Sequence, residues 1–323
     1  MACLHCGSAA GTKRRNELTV EECLKVADEL MALGCRRVTL LGGEVFLYRG
    51  WEKIARRLSD GGAKVNIITN GFLMGDEQID QIREARLANV GISLDGMEEN
   101  HVRIRRVPTS YRRVIRAFER LNREGVDTGV VTTLLDFNAD DLGPMYELLV
   151  AHDIAFWQLQ LASPMGNMKR RPGLTLKPEK LAGLTRFIRE KSEASRMTVM
   201  AGDDIGYFDE NEPFLRNTPF RFGRWGGCQA GLSVIGLDSD GGVKGCESLM
   251  APCFLEGNVR SEPLAAIWRR PGGFAYNRQF DFGRLEGRCA DCDKAAVCRG
   301  GCRGHNYFST GSPFRNALCA YRL

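Results

Sequence analysis

The residues best suited to chemistry are cysteines in the last third of the chain. Seven of the twelve cysteines lie there at spacings typical of metal ligands. Thiolates two or three residues apart can converge on one metal centre, because a tight turn brings their sulfurs close together. Since four ligands complete one site, seven indicate two centres, either iron–sulfur clusters or a pair of zinc ribbons. The seven are Cys228, Cys246, Cys289, Cys292, Cys298, Cys302 and Cys319.

A disulfide framework is the simplest alternative for so many cysteines. Disulfides are typical of small secreted domains, whereas 323 residues can bury a large core without cross-links. The chain opens with no apolar signal segment and has no apolar run long enough to span a membrane. We therefore expect a cytoplasmic protein with free thiols and no membrane partner. The net charge of +5 suits a solvated surface, and no nucleic-acid partner is expected.

The cysteines near the start of the chain divide into two kinds. Cys3 and Cys6 form a C-x2-C pair, which by itself could be a zinc knuckle or a redox pair. Cys23 lies on the apolar stripe of a helix that Thr19 opens with a capping box, and Cys35 follows that helix. We expect both of these to serve in packing.

The middle of the chain alternates between apolar runs and amphipathic segments. Strands separated by single helices pair in parallel through right-handed crossovers, so the pattern favours a barrel or partial barrel. No G-x-G-x-x-G follows the first strand, which argues against a dinucleotide-binding fold. The predicted strands are 38–41, 64–69, 89–94, 128–134, 156–160 and 197–200. The predicted helices between and after them are 51–58, 76–85, 110–124, 140–152 and 178–194.

Small and polar residues stand where these strands end. In parallel βα folds the chemistry gathers at the carboxyl ends of the strands. Asn-Gly and Asp-Gly are also common turns, so one such end means little, but five together indicate a site for a polar ligand. The ends are Gly42-Gly43-Glu44, Thr69-Asn70-Gly71, Ser93-Leu94-Asp95, Thr132-Thr133 and Gln158-x-Gln160.

Taken together, these motifs resemble the radical S-adenosylmethionine enzymes of the SPASM subfamily. Cys3 and Cys6 match the second and third cysteines of the family's C-x3-C-x2-C loop, with His5 between them. The seven late cysteines match the SPASM signature in full, including Gly241 between the first two. By this resemblance the cofactor-binding residues are Gly42, Gly43, Glu44, Thr69, Asn70, Ser93 and Asp95.

The resemblance implies an α/β fold of two domains. The first, residues 1–225, would be a partial (βα)6 TIM-like barrel whose first strand is missing. The second, residues 226–323, would be a small cysteine-rich SPASM domain, with the boundary in the stretch 220–227. The first cysteine of the C-x3-C-x2-C loop would fall ahead of Met1. We therefore expect an N-terminally truncated chain, with a catalytically dead metal-binding scaffold as one alternative.

The resemblance also implies the cofactors, S-adenosylmethionine and [4Fe–4S] clusters. Cys3 and Cys6 would hold the radical cluster. Two auxiliary clusters would be held by Cys289, Cys292, Cys298 and Cys319, and by Cys228, Cys246 and Cys302. The second set is one ligand short, and Cys253 would either supply it or be a buried, inert thiol.

The activity implied is reductive cleavage of S-adenosylmethionine to a 5′-deoxyadenosyl radical that modifies a peptide or protein. The change could be a crosslink, an epimerisation, a decarboxylation or an oxidation. Radical modification of a small molecule or cofactor precursor is the alternative enzyme function. Expected partners are the peptide substrate, a separate leader-binding protein, and flavodoxin or ferredoxin as electron donor. Glu247, directly after Cys246, is the candidate general base.

Overall fold

The computed structural model describes residues 1–11, 13–194, 196–202, 205, 210–216 and 225–322. The predicted domain boundary at 220–227 falls partly outside them, since residues 220–224 are not described. No helix in the described ranges is both long enough and apolar enough to cross a membrane.

Six parallel strands form the central sheet, and each pairs with the strand before it in the chain. The order β1-β2-β3-β4-β5-β6 has no reversal, so the sheet curves in one direction as in a barrel. A doubly wound sheet would reverse its order near the middle. The partial TIM-like barrel is therefore confirmed. The strands are Arg37–Leu40 (β1), Lys64–Thr69 (β2), Asn89–Ser93 (β3), Thr128–Leu134 (β4), Phe156–Leu161 (β5) and Thr198–Ala201 (β6).

Helices connect these strands and bury their apolar faces against the sheet. Most of the predicted helices are present, although two begin with a short 3-10 turn, at Ala139–Asp141 and Pro178–Lys180. The helices of the barrel region are Val20–Ala32 (α1), Trp51–Asp60 (α2), Asp76–Ala85 (α3), Glu98–Arg105 (α4), Ser110–Arg123 (α5), Leu142–Ala151 (α6), Leu181–Ala194 (α7) and Glu212–Leu215 (α8).

Among the described residues of the barrel region, helix α4 is the one helix longer than a turn that the sequence did not predict. Its buried residues are His101, Ile104 and Arg105, so two of the three are ionisable. Sequence periodicity detects helices by their apolar stripe, and this helix presents a polar face to the interior. A helix that buries charge needs partners for that charge, and these partners lie at the carboxyl ends of the strands.

The C-terminal region packs against α1 through polar contacts. The capping box of α1 is present as predicted, with Glu22 bonded to the backbone N–H of Thr19 at 2.7 Å. Arg260 donates from Nε to the same carboxylate at 2.6 Å and from Nη1 to the carbonyl of Asn16 at 2.7 Å. A small antiparallel sheet supports this region, with strands Gly236–Leu237 (β7), Gly242–Lys244 (β8) and Gly257–Asn258 (β9).

Four short helices complete the C-terminal region. They are Leu264–Arg269 (α9), Ala275–Arg278 (α10), Ala295–Cys298 (α11) and Arg303–Thr310 (α12). The last two carry two of the clustered cysteines, since α11 ends at Cys298 and Cys302 is the N-cap of α12.

Candidate radical site and auxiliary metal centres

Glu44 is held by the strand beside its own. It follows β1, and its Oε1 accepts from the Thr69 hydroxyl at 2.6 Å, while Oε2 accepts from the backbone N–H of Asn70 at 2.9 Å. Burial raises the pKa of the Glu44 carboxyl, although these hydrogen bonds oppose the shift. The sequence placed these three residues at neighbouring strand ends, and the structure brings them together. A carboxylate fixed in this way is suited to accept from an ammonium group.

The first eleven residues form an N-terminal loop that covers the carboxyl ends of the strands. Asn167, in the turn after β5, donates from its side chain to the carbonyl of Cys3 at 2.9 Å and from its backbone to that of Cys6 at 3.0 Å. Gly166 has a φ of +54°, and a Cβ there would lie 2.3 Å from the carbonyl oxygen of Cys6. The loop after β5 therefore grips the Cys3–Cys6 turn from one side.

Asp95 grips the same turn from the other side. Its Oδ2 accepts from Nε of Arg105 at 2.6 Å and lies 2.8 Å from Nε2 of His5. Its Oδ1 accepts from the backbone N–H of Thr133 at 3.0 Å. Burial alone would raise the pKa of Asp95, but the charges of Arg105 and His5 outweigh it and hold the pKa far below the usual range.

Both carboxylate oxygens of Asp95 thus have partners within the protein. The resemblance predicted that it contacts the cofactor, and that role remains a prediction. The sequence did not lead us to predict Arg105 as a site residue. Nη1 of its buried guanidinium also donates to Sγ of Cys3 at 3.8 Å. The sequence did hold a signal: His101 and Arg105 lie four residues apart, on one helix face, directly after a strand end.

The remaining predicted residues lie around this centre. Gly42 and Gly43 are exposed and lead out of β1, and a Cβ on Gly43 would lie 3.4 Å from that of Ala10 in the N-terminal loop. Ser93 ends β3 and is half-buried. Gln160 donates to the Thr133 hydroxyl at 3.0 Å, so the later strand ends are linked as well.

Four late cysteines line one cavity of about 510 Å³, here called the cysteine cavity: Cys289, Cys292, Cys298 and Cys319. Three basic side chains, of Arg288, Lys294 and Arg315, also line it. Among the described residues, no three His, Cys, Asp or Glu side chains converge as they would on one metal ion. Four thiols around an open volume with cations nearby suit an anionic polynuclear cluster better than a single ion.

The second cysteine set, Cys228, Cys246 and Cys302, lies nearby. Cys228 and Cys246 pack against the hydrophobic core. Burial raises the pKa of Cys246 well above its usual value, and the charges of Glu247 and Cys228 add to this. Metal binding at this position would have to release that proton, because cysteine binds metal as the thiolate. Glu247 is exposed, and the Cys246 thiol donates to its Oε2 at 3.1 Å.

The other cysteines are resolved by their surroundings. All twelve lie among the described residues, and all are free thiols, so the disulfide alternative is wrong. Cys23 is half-buried beside the Tyr48 hydroxyl, 3.7 Å away, and Cys35 packs against the core. Cys253 is exposed, so its description as a buried thiol was wrong. Its thiol forms a hydrogen bond with the side chain of Tyr307.

Comparison with known proteins identifies the class that this fold and site define. Residues 1–149 match the model of the radical SAM superfamily, and residues 228–293 match that of SPASM, an iron–sulfur cluster-binding domain. The chain therefore belongs to the radical SAM enzymes with a SPASM domain. Its cofactors are S-adenosylmethionine and iron–sulfur clusters, so zinc ribbons are excluded. The matched ranges fall on either side of residue 225, and the predicted domain limits themselves stay a prediction.

Individual relatives point to more than one substrate class. The chain is 27% identical to the AdoMet-dependent heme synthase of Oleidesulfovibrio alaskensis, over 100% of this chain and 84% of that one. It is 25% identical to the mycofactocin maturase MftC of Mycolicibacterium smegmatis, over 97% and 77%. The structure of Streptococcus suis SuiB bound to S-adenosylmethionine aligns with a TM-score of 0.77 at 17% identity, over 98% and 74%. This last likeness concerns the fold alone.

Proposed function

We propose that the strand ends around Glu44 and the N-terminal loop form the site of radical generation. S-adenosylmethionine and a reduced cluster together supply a radical able to remove hydrogen from an unactivated carbon. Cys3 and Cys6 are the cluster ligands within the N-terminal loop. The observation that supports this assignment is that the Cys3–Cys6 turn is contacted from two sides. Asn167 donates to the carbonyl of Cys3 on one side, and Asp95 contacts His5 on the other.

Within this site Glu44 accepts the α-ammonium group of S-adenosylmethionine. Thr69 and Asn70 set the orientation of its carboxylate, so the group need not reorganise on binding. Gly42, Gly43 and Ser93 supply backbone and hydroxyl groups around the methionine and ribose. Arg105, His5 and Asp95 act as positioning residues, because they contact the loop that carries the cysteines.

The late cysteines hold two auxiliary clusters. Cys289, Cys292, Cys298 and Cys319 provide a complete set around the cysteine cavity. Cys228, Cys246 and Cys302 provide three ligands for the other cluster. Cys253 is not assigned to it, because this thiol is exposed and bonded to Tyr307.

For the substrate we propose a carboxylate-bearing small molecule, with a tetrapyrrole cofactor precursor as the first candidate. The heme synthase to which the chain is similar aligns over the whole of this chain. Three consecutive cations, Lys169, Arg170 and Arg171, are exposed two to four residues after Asn167, which contacts the N-terminal loop. A group of exposed positive charges attracts substrates that carry several carboxylates.

A peptide remains the second candidate, favoured by the similarity to a mycofactocin maturase. One anaerobic experiment separates the two. The protein is given a chemical reductant, S-adenosylmethionine, and either a propionate-bearing iron porphyrin or candidate precursor peptides. A change in porphyrin mass matched by 5′-deoxyadenosine supports the first candidate. Change only in a peptide supports the second, and absence of 5′-deoxyadenosine in every mixture contradicts the proposed radical site. A flavodoxin or ferredoxin would replace the reductant in the cell.

A further inference from the structure

Arg303 is a fully buried cation between the two groups of late cysteines. Its exposed fraction is 0%. Nε donates to Oδ1 of Asn277 at 3.0 Å, and Nη1 donates to the carbonyl of Arg299 at 2.7 Å. The remaining nitrogen, Nη2, is buried and has no hydrogen-bond partner within the described ranges. A buried guanidinium with an unused donor is costly, so the fold must gain something from it.

This guanidinium lies close to the wall of the cysteine cavity. Gly300 lines that cavity, and a Cβ built on Gly300 would lie 3.6 Å from Nη1 of Arg303. Gly300 has a φ of +81°, so a side chain there is disfavoured. The cation is therefore close to a residue that lines the same cavity as Cys298.

Arg303 is also next to the second cysteine set. It directly follows Cys302, and Gly227, which precedes Cys228, packs against the turn that ends at Cys298. A Cβ on Gly227 would lie 3.4 Å from the carbonyl oxygen of Cys298. The carbonyl that accepts from Nη1 of Arg303 is that of Arg299, the residue after Cys298. Cys298 and Cys302 belong to different proposed cluster sites, so Arg303 is adjacent to both.

We propose that the positive charge of Arg303 acts on both auxiliary clusters and stabilises each of them in its reduced form. The proposal rests on the assignment of the cysteines given above. A reduced cluster carries one more negative charge, so a buried cation beside it raises its reduction potential. Because the same guanidinium is adjacent to both cysteine groups, it raises both potentials.

The test is a potentiometric titration of the auxiliary clusters, followed by electron paramagnetic resonance. It uses the full chain carrying Cys3→Ala and Cys6→Ala, so that only auxiliary clusters contribute. Arg303→Gln keeps a donor and removes the charge, while Arg303→Lys keeps the charge. Arg303 lies over the ring of Phe314, 4.8 Å from its centroid. Arg284→Met is the matched control, because this exposed arginine stacks on the same ring, 4.1 Å from its centroid.

Arg303→Gln is expected to shift both potentials to more negative values, and Arg303→Lys is expected to shift them less. Arg284→Met should leave them in place, because water screens its charge. If Arg303→Gln keeps its full iron content and its potentials do not move, or move as much as those of Arg284→Met, the role of Arg303 is overturned. The cysteine assignment is then unaffected. If protein with all seven late cysteines intact binds no iron, both the cysteine assignment and the role of Arg303 are overturned.

A measurement on the unsubstituted residue guards against variants that fail to fold. Protein containing ¹⁵N-arginine is reduced, and pulsed paramagnetic resonance is used to detect arginine nitrogen coupled to each auxiliary cluster. Arg288 and Arg315 line the cysteine cavity themselves, so the informative coupling is that at the cluster of Cys228, Cys246 and Cys302. Coupling there is expected, and its absence overturns the proposal whatever the variants do.

Discussion

Nε of Arg105 donates to Oδ2 of Asp95 at 2.6 Å, and both residues are almost wholly buried. This pair joins helix α4 to the end of β3, and through Cys3 and His5 it reaches the N-terminal loop. The loop that carries two of the proposed cluster ligands is therefore held in part by a buried ion pair. Removing one member leaves the other charge unpaired.

Arg105→Met is expected to destabilise the protein by about 3–5 kcal/mol, the usual cost of leaving one buried charge without its partner. The reconstituted protein should also lose iron at the N-terminal loop while keeping that of the C-terminal region. Thermal unfolding and iron analysis measure the two effects. Arg103→Met is the matched control, because this exposed arginine lies on the same helix and stacks on Phe137. Equal effects of the two substitutions would contradict the positioning role of Arg105.

Glu44→Gln should weaken the binding of S-adenosylmethionine by about 10- to 100-fold. The neutral amide loses a hydrogen bond to a charged group, worth about 1.5–3 kcal/mol. Anaerobic equilibrium dialysis measures the dissociation constant. Glu99→Gln changes an exposed carboxylate on α4 and should leave the affinity unchanged. Unchanged affinity in Glu44→Gln would remove this residue from the cofactor site.

The iron of the late cysteines should be independent of the N-terminal loop. Replacing Cys3 and Cys6 by Ala is expected to leave the auxiliary iron in place, whereas Cys289→Ala with Cys292→Ala should remove about half of it, since two clusters share it. Cys253→Ser is the control and should change nothing, because that thiol is exposed. Loss of iron in Cys253→Ser would make Cys253 a ligand after all.

The protein should become less stable as the pH falls from about 6.5 to about 4, because of His101. Burial lowers the pKa of His101 to about 4, against the opposing charge of Asp95. The unfolded chain takes up a proton near pH 6.5 and the folded chain does not, so acid favours unfolding, by about 3 kcal/mol at most. Urea midpoints from pH 7 to 5 measure the trend. His101→Gln should flatten it, and an equal slope in the two proteins would contradict the prediction.

Glu247→Gln tests the proposed general base. If Glu247 takes a proton from the substrate, the variant should still form 5′-deoxyadenosine but should lose most of its product. Both are quantified in one anaerobic reaction by chromatography and mass spectrometry. The carboxylate is exposed, and a Cys246 bound to a cluster as the thiolate would no longer donate to it, so Glu247 could reorient towards a substrate. Full product formation by the variant would exclude the role.

The sequence by itself determined the sheet and most of its helices. Strands β2 and β4 and helix α3 have the predicted bounds, because apolar periodicity and turn residues are local properties of the chain. It also located Glu44, Thr69 and Asn70 at adjacent strand ends, since parallel strands bring their carboxyl ends to one edge. The resemblance to the SPASM subfamily, rather than spacing alone, grouped the four cysteines that line the cysteine cavity.

Only the tertiary structure decided which charges are buried and what they face. Helix α4 escaped detection because its inner face carries His101 and Arg105, whose burial depends on Asp95 and the N-terminal loop. No local pattern indicated that the oxygens of Asp95 have partners as distant in sequence as His5 and Thr133. Arg303 is similar, because a cation beside a cysteine in the sequence gives no sign of complete burial. Such pairings depend on contacts between residues far apart in the chain, which no local pattern records.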